Sequence, residues 1–232
     1  GVPYRLYEPS SPNGRLIMWV HGGPTDQWQV TWRPRFTYWL SRGYAIAVVD
    51  PRGSTGFGRA HQIALEGQWG SADADDLAVA TRDAQSVLGI APARTTLMGG
   101  SAGGLTVLSA ANRHASLAAA VVTLYPVVDL PLLLGSDDPF EGHYNHVLIG
   151  DVSVSPNLDV QHLRDVPVLV FHGDRDELVV PEHSHRLKQA VESAGGNVRV
   201  TMMEGEGHGF RGAANVMREF SETEEFLAVC LP

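Results

Sequence analysis

Short apolar runs rich in β-branched residues alternate with longer segments of helical periodicity along this chain, and this alternation restricts the fold more than any other feature. It is typical of βαβ units, in which helices cover a mostly parallel sheet. The predicted strands lie at 16–20, 45–49, 95–98, 119–124, 168–171 and 198–202, and the predicted helices at 34–41, 74–87, 103–112, 181–193 and 213–229. Most of the strands read as continuous apolar runs, as expected for strands covered on both faces. The sequence therefore predicts an α/β protein with a mostly parallel central sheet and helices on both faces.

Length and composition predict one soluble domain over residues 1–232. A chain of 232 residues, 44% of them hydrophobic and 19% charged, can bury one large core. The formal net charge of −9 argues against nucleic acid or an anionic membrane surface as a partner.

No segment approaches the roughly 18 apolar residues of a membrane span. The chain also does not begin with the charged stretch and following apolar stretch of a secretory signal peptide. The single cysteine, Cys230, rules out an internal disulfide framework and fits a reducing compartment. We therefore expect a cytoplasmic protein.

A Gly-x-Ser-x-Gly pattern centred on Ser101 follows the predicted strand 95–98 and precedes a predicted helix. In a strand, sharp turn and helix, this pattern projects a nucleophilic serine hydroxyl above the edge of an α/β-hydrolase sheet. Glycines on either side let the backbone take a strained turn. On its own the pattern is also compatible with a glycine-rich turn that has no chemical role, so the rest of the chain must supply a base and an acid.

Two later strand ends supply them. The strand 168–171 runs into an acidic turn with Asp174 and Asp176, and the strand 198–202 runs into a loop that holds His208. A serine hydroxyl is a weak nucleophile that needs a histidine base and an orienting carboxylate. In the α/β-hydrolase fold the carboxylate follows the serine along the chain, and the histidine comes after the carboxylate. The carboxyl ends of parallel strands meet at one edge of the sheet, where such folds bind ligands.

An early glycine loop completes the predicted site. The strand 16–20 ends in His21 and a glycine pair, and one backbone N–H of such a loop joins the N–H of the residue after the nucleophile to bind an oxyanion. We assign these donors to Gly23 and Ala102. His21 is interpreted as shaping the loop, and Trp28, which follows it, is predicted to lie near the site.

The region from 126 to 165 is rich in Pro, Gly, Ser and Asp and lies between two core strands. Connections of this length inside a compact domain are uncommon and usually functional. We predict that it forms a short lid over the site.

The chain resembles the catalytic domain of the prolyl oligopeptidase family, and is most similar to its acylaminoacyl-peptidase and dipeptidyl-peptidase branches. Matching stretches run from about residue 15 to 226. They include the His-Gly-Gly-Pro loop, the Arg-Gly-Ser-x-Gly-x-Gly stretch and the Gly-rich serine motif, and lie at 21–24, 52–58, 67–70, 99–104, 155–156, 172–176 and 207–210.

The resemblance implies specific roles for residues of this chain. It implies a triad of Ser101, Asp176 and His208, because the family's His-Gly-x-x-Asp spacing selects Asp176 over Asp174. In relatives, the region after residue 127 forms much of the pocket for the residue before the scissile bond.

That region is leucine-rich here, so we expect an apolar pocket that includes Leu130, Leu133 and Leu134. Family members also carry a β-propeller domain that this sequence does not encode, so the chain is expected to be the catalytic part of a larger enzyme.

The hypothesis that results is a serine hydrolase, a peptidase that cleaves small peptides or N-acylated amino acids. Two alternatives remain open: a carboxylesterase that uses the same residues on small acyl esters, and a non-catalytic binding domain of the same fold. Acyl transfer through a serine needs no cofactor, and the sequence shows no tight constellation of metal ligands. We therefore expect neither a cofactor nor a metal, and the sequence does not indicate an oligomeric state.

Overall fold

A computed structural model describes residues 1–135 and 142–232 as a seven-stranded sheet flanked by helices. The strands are β1 (Tyr4–Tyr7), β2 (Arg15–Val20), β3 (Tyr44–Val49), β4 (Thr95–Gly100), β5 (Ala120–Leu124), β6 (Val168–Gly173) and β7 (Val198–Met203). The helices are α1 (Pro34–Ser41), α2 (Arg59–Ile63), α3 (Ala72–Leu88), α4 (Ala102–Arg113), α5 (Leu130–Leu134), α6 (Gly142–Leu148), α7 (Glu182–Ser193) and α8 (Ala213–Cys230).

The sheet has the strand order β1-β3-β2-β4-β5-β6-β7. The β1 strand is antiparallel to β3, and every other neighbouring pair is parallel. Parallel neighbours require crossover connections, and the helices supply them. The predicted mostly parallel α/β architecture is therefore confirmed.

The core divides into two layers, one on each face of the sheet. On β2, Leu16, Met18 and Val20 pack with residues of α3, α4 and α7. The alternate residues Ile17 and Trp19 pack with residues of α1 and α8 on the other face. Successive side chains of a strand point to opposite faces, so an all-apolar strand serves both layers.

The sequence pattern missed four short elements: β1, α2, α5 and α6. The β1 strand has four residues and lies at the edge of the sheet, where all its residues are only partly buried. Segments this short carry too few periods of hydrophobicity to be recognised, and tertiary contacts determine them.

The carboxyl ends of the inner strands finish almost level with one another. The register pairs Gly100 of β4 with Leu124 of β5, and Gly173 of β6 with Met203 of β7. The loops that follow these strands therefore leave the sheet at one edge, and this places the predicted catalytic side chains together.

Candidate active site

Ser101 lies in the sharp turn between β4 and α4. Its backbone has φ 55° and ψ −123°, a left-handed conformation that non-glycine residues rarely adopt. Hydrogen bonds hold the turn: the Ser101 N–H donates to Leu124 O at 3.0 Å, and the Ser101 carbonyl accepts from the N–H groups of Gly104 (2.9 Å) and Val127 (3.1 Å). Strain of this kind costs about 1–3 kcal/mol and persists only where the surroundings enforce it.

The turn can be this sharp because Gly103 lets α4 approach the end of β2. A Cβ at Gly103 would lie 2.4 Å from the carbonyl oxygen of His21 and 2.8 Å from that of Val20. Both atoms belong to the backbone, so no side-chain movement can make room. The glycine therefore fixes how closely the nucleophile approaches the loop after β2.

We expect Gly103→Ala to destabilise the protein by about 1–3 kcal/mol, as other overpacked sites do. The measurement is the free energy of unfolding in urea. The matched control is Gly135→Ala, because Gly135 has right-handed helical dihedrals and its nearest neighbours would be 3.5 Å from a Cβ. A Gly103→Ala protein as stable as this control would show that the close approach is not required.

His208 lies in the loop after β7, between Ser101 and Asp176. Its Nε2 is 3.0 Å from Ser101 Oγ, and its Nδ1 is 2.8 Å from Asp176 Oδ2. A carboxylate only accepts, so Nδ1 carries the proton and Nε2 is free to accept from the serine hydroxyl. The Tyr125 ring packs against the imidazole, with 4.5 Å between centroids.

Asp176 is buried and fully engaged. Its Oδ1 accepts from the N–H groups of Leu178 and Val179, each at 3.0 Å. Burial acts to raise the pKa of Asp176, but hydrogen bonds from His172 and His208 outweigh burial and hold that pKa well below its usual range. The carboxylate is therefore ionised and oriented towards His208.

Asp174, the alternative acid, does not reach the histidine. It is exposed, and its Oδ1 accepts from the Gly205 N–H at 2.7 Å. It therefore links the turn after β6 to the turn after β7, a common structural use of aspartate.

His172 is a buried contact of the acid that the sequence analysis did not single out. Its Nε2 is 2.7 Å from Val179 O and 3.4 Å from Asp176 Oδ2, and its Nδ1 is 2.6 Å from Ser184 Oγ. A carbonyl oxygen only accepts, so Nε2 carries the proton and Nδ1 accepts from the Ser184 hydroxyl. The signal was a histidine four residues before the aspartate, on a strand that is otherwise apolar.

Both predicted oxyanion donors belong to segments that lie next to Ser101. Ala102 is the first residue of α4, and Gly23 lines the cavity at Ser101. A Cβ at the adjacent Gly22 would lie 3.5 Å from Ser101 Cβ, so the glycine loop runs against the nucleophile. Within residues 1–135 and 142–232, neither the Gly23 nor the Ala102 N–H donates to a protein acceptor.

His21 holds the glycine loop in place. Its Nε2 lies 2.8 Å from Ser54 Oγ and its Nδ1 lies 2.6 Å from Gly22 O. Burial lowers the pKa of His21, so the ring is neutral near pH 7. These contacts agree with the interpretation that His21 shapes the loop.

A cavity of about 440 Å³ opens at Ser101 and His208. It is lined by aromatic and aliphatic side chains together with charged ones, and Trp28 is among them, as predicted. Further lining residues are Trp19, Asp26, Gln27, Arg33, Arg35, Leu124, Tyr125 and Leu178.

The predicted leucine pocket is not part of this lining. Leu130 and Leu133 are buried in an apolar cluster with Ala102 and Leu105, beneath the site, and Leu134 is partly buried on the same short helix. The structure therefore gives Leu130 and Leu133 a packing position rather than a surface that faces Ser101.

The described parts of the predicted lid are 126–135 and 142–165, and the second of them contacts Thr25, the residue that follows the glycine loop and Pro24. The Thr25 N–H donates to the Tyr144 hydroxyl of α6 at 3.1 Å, and the Thr25 hydroxyl also contacts it. Residues 136–141 of the predicted lid lie outside the described residues, so its role over the site stays a prediction.

The described part of the chain has neither a cluster of metal-binding side chains nor a membrane-spanning helix. It contains no group of three or more His, Cys, Asp or Glu side chains placed to hold a metal ion. Among its helices, none combines the length and apolar character needed to cross a membrane.

Comparison with known proteins defines the class. Over 99% of its length the chain superposes on a puromycin-hydrolysing peptidase of Mycobacterium tuberculosis, with a TM-score of 0.90 and 31% sequence identity. A crystallised puromycin hydrolase gives the same TM-score at 32% identity. With the seven-stranded sheet, these similarities confirm the α/β-hydrolase fold.

The family follows from the sequence match. The profile of the prolyl oligopeptidase family matches residues 28–232, so the chain belongs to that family. It is 29% identical over 230 residues to dipeptidyl aminopeptidase BIII of Pseudoxanthomonas mexicana, covering 93% of this chain and 33% of that enzyme. It is 26% identical to the human acylamino-acid-releasing enzyme, covering 85% of this chain and 29% of that protein. The chain thus spans about a third of the length of these relatives.

Proposed function

We propose that this chain is a serine peptidase domain that cleaves small peptides or N-acylated amino acids. In this proposal Ser101 is the nucleophile, His208 the general base and Asp176 the carboxylate that orients it. The observation that carries the proposal is the hydrogen-bond chain from Ser101 Oγ through both ring nitrogens of His208 to Asp176. A hydroxyl paired with an oriented histidine is the arrangement that activates serine for attack on a carbonyl carbon.

The reaction follows from these positions. Ser101 Oγ attacks the substrate carbonyl carbon while His208 Nε2 takes the hydroxyl proton. In this proposal the Gly23 and Ala102 N–H groups donate to the oxygen that becomes negative, and such a donor contributes about 2.7–4 kcal/mol to the transition state. His208 then gives its proton to the leaving amine nitrogen, and the C–N bond breaks.

Water completes the cycle. His208 Nε2 takes a proton from the water molecule as its oxygen attacks the acyl-enzyme, and returns that proton to Ser101 Oγ as the acid product leaves. Asp176 stays ionised throughout and stabilises the imidazolium. This use of Asp176 agrees with the lowered pKa of its carboxyl group.

The choice of an amide substrate rests on what similar proteins are named for. They are a dipeptidyl aminopeptidase, an acylamino-acid-releasing enzyme and a puromycin-hydrolysing peptidase. The second candidate is a carboxylesterase, which would use the same residues, and the open cavity at Ser101 admits small esters as well.

Matched substrates separate the two candidates. We expect the chain to hydrolyse both the p-nitrophenyl ester and the p-nitroanilide of the same N-acetyl amino acid. Anilide turnover should exceed the background of a Ser101→Ala control by at least about 100-fold, because a positioned acid that protonates the leaving nitrogen contributes about 10²–10⁴-fold. The readout is p-nitroaniline or p-nitrophenolate absorbance. Turnover of the ester alone would assign the chain to the esterases.

A further inference from the structure

The cavity at Ser101 is lined by two arginine side chains that have no part in the proposed reaction. The carboxylate and guanidinium side chains among its lining residues are those of Asp26, Arg33 and Arg35. Arg35 is neutralised by the buried Glu219, because both guanidinium NH₂ groups contact its carboxylate oxygens, one of them at 2.8 Å. The positive charge of Arg35 is therefore balanced by a carboxylate of the protein itself.

Arg33 has no such partner. It is half-buried at the residue before α1, and its side chain forms no hydrogen bond and no ion pair with residues 1–135 or 142–232. Its buried Nε is also without an acceptor. The half-buried Arg5 and Arg94 share an unpaired Nε, but each donates from another nitrogen to a backbone carbonyl.

The Trp28 ring positions the Arg33 guanidinium. The guanidinium carbon lies 4.9 Å from the ring centroid, within the range of a cation–π contact. The ring is itself fixed, since the Trp28 indole N–H donates to Trp19 O at 3.2 Å and the Trp28 backbone N–H to Asp50 Oδ1 at 2.7 Å. Stacking of a face leaves the N–H edges of a guanidinium available to a planar acceptor.

We infer that Arg33 binds a carboxylate of the substrate in the cavity at Ser101, so that the enzyme selects short substrates with an anionic group. This inference rests on the proposed function. Arginine suits the task because its fork of donors pairs with both carboxylate oxygens. Asp26 lies on the same cavity but is exposed, and one of its oxygens already accepts from the Gln27 N–H at 2.8 Å.

Two sources can supply the carboxylate: the free C-terminus of a short peptide, or an acidic side chain. Two substrate pairs distinguish them. The first is N-acetyl-trialanine and its C-terminal amide. The second is N-acetyl-Ala-Ala-Glu amide and the corresponding Gln amide. Within each pair only the carboxylate changes.

The test compares wild type with Arg33→Met, Arg33→Lys and Arg82→Met. Arg82 is an exposed arginine of α3 that does not line the cavity, so its variant removes the same charge elsewhere. We expect wild type to prefer the carboxylate of at least one pair by about tenfold in kcat/KM. Arg33→Met should remove this preference while changing the neutral member by less than about threefold, and Arg33→Lys should retain part of it. Arg82→Met should behave as wild type.

Binding is measured separately, so that failure of catalysis does not decide the question. In a Ser101→Ala background, titration calorimetry with the same peptides should show the carboxylate member binding about tenfold more tightly, and Arg33→Met should abolish the difference. Circular dichroism and urea unfolding verify that each variant folds.

The outcomes are distinct. If wild type hydrolyses none of the peptides but binds the carboxylates through Arg33, the proposed function fails, and the assignment of Arg33 as a carboxylate-binding residue stands. If wild type hydrolyses neutral and anionic members equally, the inference is overturned and the proposed function stands. The inference is also overturned if Arg33→Met keeps the wild-type preference in kcat/KM for the carboxylate member, or if Arg82→Met loses that preference to the same extent as Arg33→Met. It is overturned as well if the Ser101→Ala protein does not bind the carboxylate peptides at millimolar concentration.

Discussion

Ser101→Ala is expected to lower the turnover of p-nitrophenyl acetate by at least about 10⁴-fold, because no other group can form the acyl-enzyme. The fold should persist, since alanine keeps the Cβ and removes only the hydroxyl that pairs with His208. The expected result is read from p-nitrophenolate release, with circular dichroism to verify the fold.

A fluorophosphonate probe tests the same assignment directly. Wild type should take up one label per chain, located at Ser101 by peptide mass spectrometry, and Ser101→Ala should take up none. Folded wild-type protein that stays unlabelled would favour the non-catalytic binding domain. Retained ester turnover in Ser101→Ala would place the nucleophile elsewhere.

Ser101→Gly adds a stability measurement. Glycine adopts positive φ without steric cost, whereas alanine at this position keeps the strain of φ 55°. Both variants should be inactive, but Ser101→Gly should be more stable than Ser101→Ala by about 1 kcal/mol in urea unfolding. Equal stabilities would show that the turn is not strained.

Asp176→Asn is expected to lower kcat by about 10⁴-fold with little change in KM. The asparagine oxygen can still accept from the Leu178 and Val179 N–H groups, so its NH₂ faces His208 Nδ1. That nitrogen must then accept, which moves the ring proton to Nε2, where it faces Ser101. A protonated Nε2 cannot take the hydroxyl proton. Steady-state kinetics with the p-nitrophenyl ester measure this loss.

Asp174→Asn is the matched control for this experiment. Asparagine can still accept from the Gly205 N–H, so kcat should stay within a few fold of wild type. If Asp174→Asn lost as much activity as Asp176→Asn, the acid would have been assigned to the wrong carboxylate.

Much of the sheet could be predicted, because the spacing of hydrophobic residues along the chain distinguishes strands from helices. Most of the six predicted strand segments are continuous apolar runs, and each of the six corresponds to one of the strands β2 to β7. The level strand ends follow from parallel pairing, so Ser101, His208 and an acid of the turn with Asp174 and Asp176 could be predicted to meet from the sequence. The choice of Asp176 came from the resemblance to the family. The alignment of the strand ends depends on backbone pairing and not on how side chains pack.

The rest depends on side-chain packing, which the pattern does not encode. A leucine-rich segment after residue 127 is equally compatible with a pocket and with a core, and the structure packs Leu130 and Leu133 into the core. Arg33 gave no signal, because its nearness to Ser101 arises only when α1 packs beside the glycine loop. His172 belongs to a recognisable motif, but its hydrogen bonds are with groups of the following loop and of α7.

The position of β7 has a consequence for how heat inactivates this protein. Among the described residues, 1–135 and 142–232, β7 is an edge strand with β6 as its sole neighbour in the sheet, and the loop that it carries holds His208. Edge elements open locally at a lower free energy than the centre of a sheet. One such opening separates His208 from Ser101 while β4 and its turn remain folded in the interior. We therefore expect turnover to decline at temperatures where most of the secondary structure is intact. The half-life of activity would then report the stability of this edge rather than that of the whole domain.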